Sequence, residues 1–371
     1  MTDIQVAEIP VASKPQSLST SKNFNAIDIA RVTAAILIVA MHTYVFKQVN
    51  ETLNFFVTMV LAKIGVPFFF VTSSFFFFRK INLAQVRNHE DGDAAGRLRK
   101  YIFRMAKIYL VWSMIYSIPR FHFGFQYGGY TAGAFQVIKG FLIALGVGSQ
   151  LWYVLASIVL ILIVYMLHRY MASRTILIIA VGVYVAVMFL TKYSPLIFGQ
   201  SDVLSALHNA SRRYVNQLPI RIPSGFIFVL FGAMLAQNRP TISRKAAVLL
   251  LLMVSVAALT AEVFFLSSST FDFAYDGSVQ AYLFMVPVVA LLFVLLTNVA
   301  STDRWFFPYL RRMSLLIYCS HRFFQYWYEQ AGVVNNLALF LATAASSIVF
   351  AAVVVGLLER TQRFKFLGIL S

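Results

Sequence analysis

Charge is scarce in this chain of 371 residues: Asp, Glu, Lys and Arg make up 12% of it, against about a quarter in an ordinary soluble domain. Acidic residues are scarcer still, 14 against 31 Lys and Arg, which leaves a net charge of +17. Cysteine is nearly missing. The single Cys319 excludes a disulfide framework within the chain and any cluster of thiolate metal ligands. No H-E-x-x-H, Cys/His cluster or carboxylate-rich loop points to a metal, and neither G-x-S-x-G nor a P-loop occurs. Residues 1–26 lack the basic-then-apolar pattern and small-residue cleavage site of a secretory signal, so they read as a disordered cytoplasmic tail. On that reading the first apolar segment is an uncleaved anchor.

What the chain does have is apolar length. Hydrophobic residues make up 60% of it, aromatic residues 16%, and mean hydropathy is +0.75. Apolar runs recur from residue 27 to residue 357, and they lack the strict alternation of a transmembrane barrel. The fold class expected is all-α, a polytopic integral membrane protein. In a soluble protein a charge of +17 would suggest nucleic acid; here the Lys/Arg excess of cytoplasmic loops explains it, and no nucleic-acid partner is expected.

Apolar segments fall near 27–47, 62–78, 101–119, 151–168, 175–192, 223–237, 244–266, 280–299, 313–329 and 335–357. A further run, 134–147, is short and glycine-rich, and it is expected not to cross. Ten transmembrane helices then remain, with both termini cytoplasmic: a tail over 1–26, a membrane domain over 27–357 and a second tail over 358–371. This arrangement collects most of the basic residues on one side, in both tails, the 79–100 loop and the loops carrying Arg169, Arg239 and Arg304. The outer side keeps Lys47, Lys63, Arg120, Lys139, Lys192, Arg212, Arg213 and Arg221. If 134–147 crossed, the next three basic loops would alternate wrongly. Two sizeable outer segments result, 120–150 and 193–222. The first is aromatic and glycine-rich, a composition that suits the membrane interface and also sugar rings.

The most informative segment is the first. Asp28-x-x-Arg31-x10-His42 puts an acid, a guanidinium and an imidazole on one spanning helix. At 100° per residue Arg31 and His42 lie about 20° apart around the helix and roughly 16 Å apart along it. Ionisable groups at that depth are costly, and function is the default reading. Asp28 stands three residues from Arg31 and is placed to pair with it. His321 lies inside another spanning segment, where it either hydrogen-bonds His42, contacts a substrate or serves packing alone. His89, His122, His168 and His208 read as solvated or interfacial. Glu262 either orients a histidine or satisfies a polar contact near the outer surface.

Five stretches in order resemble the integral-membrane acyltransferase-3 family, from about residue 24 to residue 360. They are Asp28-x-x-Arg31-x10-His42, Gly65-Val-Pro-Phe-Phe-Phe-Val-Thr-Ser-Ser74, Lys100-Tyr-Ile-Phe-Arg104 running into Ile108-Tyr-Leu-Val-Trp112, Leu151-Trp-Tyr153, and Ser314-Leu-Leu-Ile-Tyr-Cys-Ser-His321. Three positions depart from the family pattern: Ser74 stands for a glycine, Tyr101 for an arginine and Ile108 for a proline.

The resemblance implies acyl transfer, usually acetyl, from cytoplasmic acyl-CoA to a hydroxyl of a surface glycan or glycolipid, in the cytoplasmic (inner) membrane of a cell. Acetyl-CoA is then a co-substrate, and no permanently bound cofactor or metal is expected. Such a reaction needs a base for the hydroxyl proton and positive charge for the developing oxyanion. His42 is the candidate base or transient acyl carrier, with Arg31 and His321 beside it as catalytic candidates. Arg31, Lys100, Arg104 and Lys107 are the candidates for holding the donor's anionic groups, and Arg120, Trp152 and Tyr153 for meeting the acceptor from outside. The competing reading is a transporter or flippase of polysaccharide or lipid-linked sugar, which would move unmodified glycan without consuming a thioester.

Overall fold

The computed structural model describes residues 24–90, 92–142, 149–193, 196, 218–269, 281–299, 304–360 and 367–370. Among them the regular structure is helical. The first helix, α1, spans Asn25–Thr43; α2 spans Glu51–Phe55 and continues through a π turn and a 3-10 turn into α3, Gly65–Phe78. A short α4 (Leu83–Arg87) precedes α5 (Ala94–Leu142), α6 (Trp152–Tyr170) and α7 (Ser173–Leu190). Further along the chain come α8 (Leu218–Gln237), α9 (Lys245–Ser269), α10 (Met285–Thr297), α11 (Phe307–Gln330) and α12 (Asn336–Arg360).

Each of the ten apolar segments falls on a helix. Six helical stretches among the described residues are long and apolar enough to cross a membrane: Asn25–Thr43, Glu51–Phe78, Trp152–Tyr170, Ser173–Leu190, Lys245–Ser267 and Asn336–Arg360. Arg221–Gln237 and Met285–Thr297 are shorter apolar helices, and α5 and α11 are long but carry more charge.

Two expectations change. Residues 120–142, read as an outer loop plus a glycine-rich run, are helical. The helix breaks at Gly128 and Gly129, where Gly129 takes φ 68°, and the chain folds back on itself. A Cβ on Gly124 would stand 2.6 Å from the Ala132 carbonyl oxygen, and one on Gly133 2.9 Å from the Phe121 ring. Glycine is therefore what lets the two arms of this hairpin touch. Lys63, counted with the outer loops, lies inside the Glu51–Phe78 stretch and is 1% exposed. Hydropathy places the segment start too late because Glu51, Asn54 and Lys63 dilute its first turns.

At the centre α1 packs between α3 and α11, and α8 packs on α3. The α3–α8 contact is close enough that a Cβ on Gly232 would stand 2.4 Å from the Val71 carbonyl oxygen. Ser74, at the position where the family pattern has glycine, is fully buried and donates to the Val229 carbonyl at 2.5 Å. A small residue is needed there, and its hydroxyl ties α3 to α8. Glu262 on α9 takes the structural of its two roles. Its carboxylate accepts from the Tyr193 hydroxyl at 2.5 Å and from the backbone amides of Leu283 (2.6 Å) and Phe284 (3.0 Å). It thus satisfies amides at the N-terminus of α10, where a carboxylate is favoured.

Candidate active site

The site is built where the last turn of α1 meets the middle of α11. α1 ends when Tyr44 enters the left-handed region (φ 50°), which leaves its last carbonyls without intrahelical partners. Side chains from elsewhere satisfy them. Gln325 on α11 donates from Nε2 to the His42 carbonyl at 2.8 Å, and Asn336 from Nδ2 to the Thr43 carbonyl at 2.7 Å. Gln325 is held in turn by Arg322 (Nη1 to Oε1, 2.9 Å) and by Glu329 (Nε2 to Oε1, 2.7 Å). The backbone that carries His42 is therefore clamped by α11.

The same clamp brings the two intramembrane histidines together. The rings of His42 and His321 stack, with centroids 5.2 Å apart and planes 27° apart. His321 is fully buried and its Nδ1 lies 2.7 Å from the Tyr318 carbonyl. A carbonyl only accepts, so Nδ1 carries the proton and Nε2 keeps its lone pair. That Nε2 is buried and has no hydrogen-bond partner. Buried polar atoms are normally paired, and here an unpaired acceptor stands beside half-buried His42. Arg322, His321, Lys63 and Arg221 are the charged and titratable neighbours whose fields reach His42.

Toward the other end of α1 the expected Asp28–Arg31 ion pair is present but long, and a second guanidinium makes the closer contact. Asp28 is fully buried and accepts two hydrogen bonds from Arg311 of α11, Nε to Oδ1 at 3.0 Å and Nη2 to Oδ2 at 2.8 Å. Arg31 approaches the same carboxylate only to 3.9 Å. The i,i+3 spacing permits the local pair, but the guanidinium fork of Arg311 meets the carboxylate in line, as bidentate geometry requires. Arg31 is consequently left with a buried Nε that has no hydrogen-bond partner. Its field partners are Asp28, Tyr153, Arg311 and Arg104.

Arg31 and Arg104 are thus electrostatic neighbours; Arg104 is exposed, as are Lys100 and Lys107, which lie on the same side of α5 at spacings of four and three residues. Tyr101, in place of an arginine, turns inward: its hydroxyl is buried and without a hydrogen-bond partner. Tyr153 is not an outward-facing residue. It is buried among Phe69, Phe70 and Tyr318, and its hydroxyl bonds Ser73 (2.7 Å) and the Phe69 carbonyl (3.1 Å). Burial follows from its place at the start of α6, where it faces α3; Trp152 beside it also meets Phe70 of α3, ring centroids 5.9 Å apart, but is less covered. Trp152 is half-buried with Arg221 over its ring at 5.8 Å, and Arg120 is half-buried beyond Pro119 on α5. His168, read as solvated, is buried with Nδ1 on the Val164 carbonyl at 2.8 Å, an ordinary structural histidine. His208 lies outside the described residues. Among the described residues no group of three or more His, Cys, Asp or Glu side chains is placed to hold a metal ion.

Gln325 and Arg311 are the site residues that sequence reasoning passed over. Gln325 offered a signal, being an uncharged polar residue one turn beyond His321 on the same face; Arg311 looked like one more loop cation.

Comparison with known proteins adds an independent line. A family model described as an acyltransferase domain matches residues 24–357. Two curated proteins, each described as an amino-acid racemase of Enterococcus faecalis, are similar over short stretches. One is 30% identical over 92 residues, 25% of this chain and 12% of that protein. The other is 44% identical over 59 residues, 16% of this chain and 8% of that protein. The chain thus covers about an eighth or less of these relatives, and the racemase activity in their descriptions is said of them alone. No solved structure matches the chain.

Proposed function

The chain belongs to the acyltransferase family whose model spans residues 24–357, and from that membership we propose a membrane O-acyltransferase that moves an acyl group, acetyl in the first instance, from cytoplasmic acyl-CoA to a hydroxyl of an extracytoplasmic glycan or glycolipid. The observation that carries this reading is the stacked His42–His321 pair, with an accepting nitrogen held on the inner imidazole. Acyl transfer to an alcohol breaks the thioester C–S bond and forms a C–O bond. The hydroxyl proton must go to a base, and it ends on the departing CoA sulfur. An imidazole within reach of both performs the two proton steps. His42 is that base, and His321 accepts a hydrogen bond at Nε2 as charge develops. The neighbouring cations favour the tetrahedral oxyanion.

Donor binding falls to the inner half of the protein. Arg31, with its buried Nε uncommitted, supplies positive charge about 16 Å along α1 from His42, a distance a pantetheine arm spans, and Arg104 is its electrostatic neighbour. The test is direct. Purified protein with acetyl-CoA and a surface-glycan extract should release CoA and yield acetylated glycan by mass spectrometry. Arg31→Ala should raise KM for the donor by about 10- to 100-fold, the loss of a charge-assisted contact. Glycan movement with no thioester consumed would instead make the protein a transporter.

The reading also requires both termini on the cytoplasmic side. In intact cells, cysteine at Asn88→Cys should escape an impermeant thiol reagent, and cysteine at Ser211→Cys should react; native Cys319 is buried and gives little background. The reverse pattern would put the basic loop outside and remove cytoplasmic acyl-CoA as donor.

A further inference from the structure

Tyr116 on α5 reaches into the backbone of α11 at the turn that carries His321. Its hydroxyl donates to the Cys319 carbonyl at 2.6 Å and accepts from the Phe323 amide at 3.0 Å. Cys319 and Phe323 are four residues apart, so these two groups are the ends of one ordinary helical rung, and His321 lies midway between them. One hydroxyl bonded to both groups ties this turn of α11 to α5. The next rung is drawn on as well, because the Tyr318 carbonyl accepts from the His321 ring. Tyr318 is tethered in turn by its hydroxyl to the Gln150 carbonyl.

We propose that Tyr116 is a positioning residue for the acyl-transfer reaction: by bonding both the Cys319 carbonyl and the Phe323 amide it fixes the turn of α11 that carries His321, and so sets that ring against His42 with Nε2 directed into the site. The proposal rests on the acyltransferase reading for its kinetic consequence. Tyr116 itself takes no part in the proton transfers, since its donor and its acceptor are both committed to backbone. It is 5% exposed and fixed between Trp112 (ring centroids 6.2 Å) and Phe323 (6.4 Å). Trp112 is anchored one turn earlier by its indole N–H on the Leu370 carbonyl at 3.1 Å. The brace is therefore stiff on its own side, and α11 is the partner that yields.

Tyr116→Phe removes the oxygen and nothing else. The Cys319 carbonyl and Phe323 amide stand at i and i+4 of one helix and satisfy each other there, so the variant should fold with little loss of stability. His321 would turn with its helix, and misplacement by a fraction of a helical step lowers kcat by about 10- to 100-fold. KM for donor and acceptor should stay within about threefold, because the donor cations are on other turns. Tyr184→Phe is the control. Tyr184 is equally buried and donates to a backbone carbonyl, that of Tyr282 at 2.7 Å, far along the chain from this turn. A fall in kcat for Tyr116→Phe with none for Tyr184→Phe supports the proposal. Unchanged kcat in Tyr116→Phe, or an equal fall in both, overturns it.

A second readout separates this idea from the acyltransferase reading. In protein labelled with 15N-histidine, His321 should show the Nδ1–H tautomer, and Tyr116→Phe should shift its signals. If wild-type protein transfers no acyl group, the functional reading fails while this shift still tests the positioning. If Tyr116→Phe does not accumulate, 3,5-difluorotyrosine at position 116 keeps the shape and weakens the accepting oxygen. It should move the same His321 signals, and unmoved signals would refute the brace.

Discussion

His42→Ala should abolish acyl transfer, lowering kcat by about 10²- to 10⁴-fold, the span expected for a positioned acid–base group. Protein level and thermal stability should be nearly unchanged. The reason lies in how His42 is attached. The Gln325 bond that clamps α1 to α11 ends on the His42 backbone carbonyl, which alanine keeps. The ring itself makes a stacking contact with His321 and is half-buried, so its loss removes little packing. Glu329 and Arg322 continue to hold Gln325 in the variant. The measurement is CoA release by purified protein in detergent, with intact membrane yield as the control. Full activity in His42→Ala would end the proposed mechanism. Isotope exchange between acyl-CoA and free CoA without acceptor separates the two roles open to His42: a transient acyl carrier catalyses that exchange, and a base alone does not.

Asp28→Ala should act in the opposite manner, striking stability first. Asp28 is fully buried with both oxygens on the Arg311 guanidinium. Breaking a buried pair by removing one partner costs about 3–5 kcal/mol. The side chain of Arg311 is 41% exposed and can regain water, so the lower end, about 3 kcal/mol, is expected. Arg311→Ala should be worse, because it strands the carboxylate in the interior with Arg31 no nearer than 3.9 Å. Thermal unfolding of the purified variants in detergent checks both. If Arg311→Ala proved as stable as the parent, Asp28 would have to be satisfied by Arg31, and the assignment of α1 to α11 at this end would be wrong. Donor affinity should fall with Asp28→Ala too, since the carboxylate shares its field with Arg31.

The difference between Asp28 and His42 also marks how far linear reasoning reaches. Helical periodicity correctly put Arg31 and His42 on one face, because that angle depends on the 3.6-residue repeat alone. It could not choose between Arg31 and Arg311 for Asp28, since a residue 283 positions away competes on equal terms once the helices touch. The surroundings of Tyr153 were likewise beyond the sequence. The family motif named it as a candidate for meeting the acceptor, and only the packing shows that α3 covers it. Lys63 was assigned to an outer loop on charge, although apolar neighbours bury its side chain within a continuous helix.

By itself the sequence determined the helical, membrane-spanning character of this protein and the order of its apolar segments. Those follow from scarce charge and long apolar runs, which no tertiary contact needs to inform. It also carried the family, through short motifs in order, and singled out Arg31, His42 and His321 because ionisable groups in apolar segments are costly enough to be conspicuous. Only the tertiary structure decided which groups meet: His42 with His321, Asp28 with Arg311, Gln325 with the end of α1, and Tyr116 with the turn of α11 that carries His321. Hydrogen bonds and ring contacts act over 3 to 6 Å, and the packing of α1 between α3 and α11 sets those distances.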